Sequence, residues 1–115
     1  MFDQPAENVR VVVSEPWELG ERVFTGRIVR SQAEPDERLL VALNQPFVHA
    51  GVTYSSLLLS PRHEGHPLSL VEAGEAVPCN ARALASASAV DRDGMEARDW
   101  RGGGLVLIGT LSSDR

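Results

Sequence analysis

Lysine is absent from this chain, and all 11 basic residues are arginine. Cysteine is nearly absent too. The single Cys79 excludes an intrachain disulfide and suits a reducing, cytoplasmic setting. No run of about 18 apolar residues occurs, so no membrane-spanning helix is expected. Residues 1–10, MFDQPAENVR, have neither a basic start nor an apolar stretch, so no signal peptide is expected. Aromatic residues make up only 5%, and 16 acids outnumber the arginines to give a net charge of −5. Nucleic-acid binding asks for a basic groove and exposed rings, so this acidic composition disfavours it.

What is present reads as one β domain over residues 1–115, with 1–7 as a flexible lead-in. A chain of 115 residues can bury about 65 per cent of its unfolded surface, enough to fold without a disulfide or metal. The organising stretch is 38–63, RLLVALNQPFVHAGVTYSSLLLSPRH. Leu39, Val41 and Leu43 fall on one face of a strand, with Arg38, Leu40, Ala42 and Asn44 on the other. Pro46 cannot donate to a ladder and predicts a break or bulge. His49-Ala50-Gly51-Val52 predicts the turn, and the chain returns through Val52–Ser60. Leu57, Leu58 and Leu59 are consecutive, so both faces of that strand need cover. This favours a barrel or a sandwich over an open sheet.

The remaining strands follow the same period of two. Val9, Val11 and Val13 share a face, as do Phe24 and Ile28, while Arg22, Arg27 and Arg30 do not all lie together. Gly26 predicts a sharp bend or bulge. Leu68–Ala73 predicts one or two helical turns closed by Gly74. Glu75–Leu84 reads as an edge strand because Pro78 lies within it. Met95–Trp100 alternates as a short exposed strand. Leu105–Leu111 is apolar on both faces and predicts a central strand. The expected fold is all-β: a small, partly open antiparallel barrel of six or seven strands with at most one or two short helical turns, a sandwich being the alternative.

Three constellations carry possible chemistry. Zinc takes imidazole and thiolate in sets of four, which singles out His63, His66 and Cys79, with His49 as a fourth. No spacing matches a standard zinc motif, and His49 lies a whole strand of about 30 Å away from the His63 loop, so no metal and no cofactor is expected. His63, Glu64 and His66 form the candidate acid–base set, since histidine titrates near neutrality. No Gly-x-Ser-x-Gly motif or paired nucleophile accompanies them. Arg62, His63 and His66 on the loop, and Trp100 and Arg101 before a triple glycine, are the candidate binding residues; Trp and Arg are favoured at hot spots. The expected function is therefore non-catalytic: a protein-interaction or self-association module using the Trp100–Arg101 surface or the Glu75–Leu84 edge. A small-ligand domain or enzyme using the Arg62–His66 loop is the alternative.

Overall fold

A computed structural model describes residues 7–15, 22–33, 37–63, 65–85 and 105–113. Six strands carry the fold: β1 (Glu7–Glu15), β2 (Arg22–Gln32), β3 (Arg38–His49), β4 (Val52–Pro61), β5 (Val77–Leu84) and β6 (Val106–Ser113). Each pairs antiparallel with the next, and β6 pairs back onto β1, so the sheet closes into a barrel. The expected barrel is present, and it is fully closed rather than partly open. Closure overturns one expectation in particular: Glu75–Leu84 is no edge, because β5 is paired to β4 on one side and β6 on the other. Pro78 is tolerated there for a local reason. Its carbonyl accepts a hydrogen bond from the Arg62 N–H just beyond the last β4–β5 pair, Pro61 with Cys79. A strand residue directs its N–H and C=O to the same side, so the missing N–H falls where the ladder has already ended.

The interior is filled by the predicted alternation. Val9, Val11 and Val13 from β1, Phe24 and Ile28 from β2, Leu39 and Val41 from β3, and Leu57 and Leu59 from β4 all belong to one core. Cys79, Ala81 and Ala83 from β5 and Leu107 and Leu111 from β6 complete it. Small barrels are filled by side chains rather than hollow. The outer face differs from simple expectation on one side. Leu40, Leu58 and Leu84 lie on the wall opposite the core, yet they are only 1%, 6% and 1% exposed. Leu40 pairs with Leu58, and Leu84 with the buried Ser56 one row on. This is the double-sided cover that the Leu57–Leu59 run demanded. On β6 the two-sided expectation is corrected: Leu107 and Leu111 are buried, but Val106 is 46% exposed. Pairing on both flanks makes β6 central, not burial of both faces.

The two ends of the barrel are closed differently. At one end the 3-10 helix Leu68–Ala73 sends Leu68 and Val71 into the core and stops at Gly74, φ 85°. At the other, Phe24, Phe47 and Tyr54 stack with ring centroids 4.7 and 5.3 Å apart. There the β3–β4 hairpin turns through Ala50 and Gly51, both at positive φ, the arrangement of a two-residue hairpin loop matched to strand twist. Between Ala42 and Phe47, four residues of β3 oppose the single Ser55 of β4. This is the irregularity that Pro46 predicts. β2 carries a register shift between Ile28 and Arg30, two residues past the predicted Gly26. Gly26 itself marks a close approach, since a Cβ there would run into the Ala42 carbonyl oxygen.

Candidate functional site

The loop that follows β4 does not project into solvent alone. Residues of 60–67 line an open concavity of about 480 Å3 at the helix-capped end, within the about 300–1,000 Å3 range of ligand sites. Ser60, Pro61, Arg62 and His63 line it together with Glu37 and Arg38. The chain builds this shape because β4 ends in proline, and His66 turns back to donate its N–H to the His63 carbonyl at 3.3 Å. Gly65 takes φ 83° within that turn, a conformation glycine adopts without a Cβ penalty.

Glu37 is the hinge pin of the site, although its role leaves no local mark in the sequence. The N–H of Leu68 donates to its Oε1 at 2.6 Å and the N–H of Ser69 to its Oε2 at 3.2 Å. A carboxylate thus ties the β2–β3 connection to the start of the 3-10 helix, satisfying N–H groups that the first turn leaves without helical partners. These are charge-assisted bonds, stronger than neutral ones. The same carboxylate is therefore engaged at both oxygens. Glu37→Ala should lower unfolding free energy by about 1–3 kcal/mol, the cost of stranding part-buried donors. Urea denaturation measures this. A change below about 0.5 kcal/mol, typical of an indifferent surface site, would show that the helix does not depend on the cap.

The sequence-selected residues separate. Arg62 and His63 share the concavity. His66 places its ring 6.1 Å from that of His63, edge to face, but does not line the cavity wall. Glu64, Trp100 and Arg101 lie outside the described residues, as does the Met95–Trp100 segment. His49 sits at the hairpin end, the full length of β3 away. Cys79 lies inside the barrel and is fully buried. Among the described residues no group of three or more His, Cys, Asp or Glu is arranged to hold a metal ion.

Burial pushes the Cys79 thiol up from 9.0 to about 12, and the opposing pull of the Arg62 guanidinium is weaker. A protonated, enclosed thiol is neither a ready nucleophile nor a ready metal ligand. It also makes stability depend on alkaline pH. The unfolded chain ionises Cys79 above about 9 while the folded chain keeps its proton, so stability is lost as pH rises from about 9 toward 12. The slope approaches about 1.4 kcal/mol per pH unit. Cys79→Ala should remove that part of the alkaline slope, read from urea midpoints at pH 8 and above. Identical slopes for the two proteins would contradict the assignment.

No protein-family model, no curated protein and no solved structure matches the chain. No helix among the described residues is long and apolar enough to cross a membrane.

Proposed function

We propose that this barrel is a non-catalytic binding module that takes an anionic group of a protein partner into the Arg62–His63 concavity. One observation carries the reading. Two arginines, Arg38 and Arg62, line the same hollow with His63; one Arg38 guanidinium nitrogen donates to the Glu37 carbonyl at 2.9 Å, and the Glu37 carboxylate is occupied by the helix N–H groups. Arginine presents a planar fork that suits carboxylate and phosphate oxygens, and the concave setting supports it with the polar Ser60. Acid–base catalysis is less well supported. It needs a carboxylate to orient His63; among the described residues the ring neighbour of His63 is His66. Pairing of β5 on both flanks also removes the Glu75–Leu84 segment as a docking edge, which moves the interaction reading from that segment to this end. A reducing compartment such as the cytoplasm suits the lone free thiol.

Titration of the isotopically labelled protein with inorganic phosphate, and separately with a tetraglutamate peptide, tests this by amide chemical shift. The amides of residues 60–67 should move with the peptide, and Arg62→Gln should weaken binding about tenfold, the loss of one charge-assisted contact. Phosphate moving the same amides with higher affinity would assign the site to a phosphoryl group instead. Absence of shifts at 60–67 with both probes would refute an anion site.

A further inference from the structure

A second site lies at the opposite end, where the wall between β2 and β3 parts. The β2–β3 ladder runs only to Gly26 paired with Leu43. Past that point β2 continues through 22–25, paired on its other flank to β1, but among the described residues it has no ladder partner on the β3 side. The cause is the β3 irregularity: Asn44, Gln45 and Pro46 bow away before Phe47 rejoins β4. The strands stay linked at the foot of the gap by a side chain, Asn44 Nδ2 donating to Thr25 Oγ1 at 3.0 Å. Above it opens a slot of about 360 Å3 lined by 22–25 and 44–47.

We propose that this slot receives the last residues of an extended peptide, its main chain paired to β2 and its terminal carboxylate on Arg22. Three features select that ligand. β2 offers a regular, one-sided strand edge, and extended peptides add to such edges by main-chain pairing. β3 is the poorer partner, because it is bowed and Pro46 has no N–H to give. Arg22 supplies the charge: its guanidinium rests 5.2 Å from the Phe24 ring centroid and 5.9 Å from that of Phe47. Stacking on two rings holds the fork in place without using its N–H donors. Val23, 56% exposed at the slot, adds apolar contact for one side chain of the peptide. The volume is at the small end of ligand sites, about 300–1,000 Å3, which suits two or three residues rather than a long segment.

The probe is the tripeptide acetyl-valyl-threonyl-valine with a free carboxylate, compared with its C-terminal amide and with acetate, by amide chemical shifts of the full chain. The free acid should move the amides of 22–25 and of Asn44, Gln45 and Phe47. The amide should bind about tenfold more weakly, the loss of one charge-assisted contact. Arg22→Gln should erase that difference between the two peptides, while Arg62→Gln should leave it intact. The proposal is overturned if the free acid leaves these amides unmoved, if acid and amide bind equally, or if acetate alone reproduces the full pattern. Because the Arg62 concavity lies at the other end of the barrel, shifts confined to 60–67 would overturn this site while supporting that one.

Discussion

A chain cut after Gly104 should show no cooperative thermal transition. It retains β1 to β5 but loses β6, and with it both ladders that close the barrel. Leu107 and Leu111 are fully buried, and removal of a buried leucine side chain typically costs about 2–5 kcal/mol. The larger loss is geometric. Without β6 the inner faces of β1 and β5 are opened, so Val11, Val13, Cys79 and Ala81, now buried, meet water together. The two leucines alone amount to about 4–10 kcal/mol, comparable with the whole stability of an ordinary domain, about 5–15 kcal/mol. The freed edges of β1 and β5 also become templates for aggregation. Circular dichroism against temperature is the measurement. A cooperative melt near that of the intact chain would show that β6 is an accessory.

Gly109→Val should be among the most damaging single substitutions, at about 3 kcal/mol or more, the upper range for overpacking a tight interior. A Cβ at Gly109 would collide with the Val12 carbonyl oxygen and approach the Val12 carbon and Val13 Cα to 3.1 Å. These are backbone atoms of the paired strand, so no rotamer change relieves the overlap. The contrast is Gly51 at the hairpin tip, where a Cβ meets nothing within 4 Å and only φ +79 is unfavourable. Gly51→Ala should cost about 1–2 kcal/mol, the penalty for left-handed backbone. Urea midpoints for the two variants separate steric from conformational demands on glycine. A smaller loss at Gly109 than at Gly51 would mean that β1 and β6 do not approach as closely as described.

The period-two pattern made the strands legible, because burial of one face leaves a direct trace in composition. Leu39, Val41, Val9, Val11 and Val13 all point inward as their spacing implies. The turn at Ala50-Gly51 and the break at Pro46 were also legible, since both follow from backbone constraints of single residues. Closure was not legible. Alternation states which face a residue occupies, not which distant strand lies beside it, and β1 and β6 stand at opposite ends of the chain. The edge reading of β5 failed on the same ground: Pro78 removes one donor, but only the register reveals that this donor falls beyond the ladder.

The candidate site was legible in part for a similar reason. Arg62 and His63 stand out as polar groups in a proline-bounded loop, a setting where function concentrates. Glu37 reads merely as the last residue of a polar turn, because its partners lie 31 and 32 residues away in the chain. Arg38 reads as an outward strand residue, and only the fold brings it to the same hollow as Arg62. Cys79 shows the opposite limit of residue type. Its residue type suggests a ligand, yet its register, opposite Gly109 and Pro61, turns it into the core. The gap beside Arg22 depends on how far a bulge spreads two strands, which residue types alone do not encode.

The seam between β1 and β6 is what makes this polypeptide a barrel and confines both proposed sites to its two ends. Through-space nuclear Overhauser contacts across that seam test it most directly. Backbone contacts should join Val11 to Leu111 and Val12 to Thr110, with slowly exchanging amides on both strands. Missing contacts between these pairs, with β1 or β6 amides exchanging as freely as a loop, would contradict a closed wall.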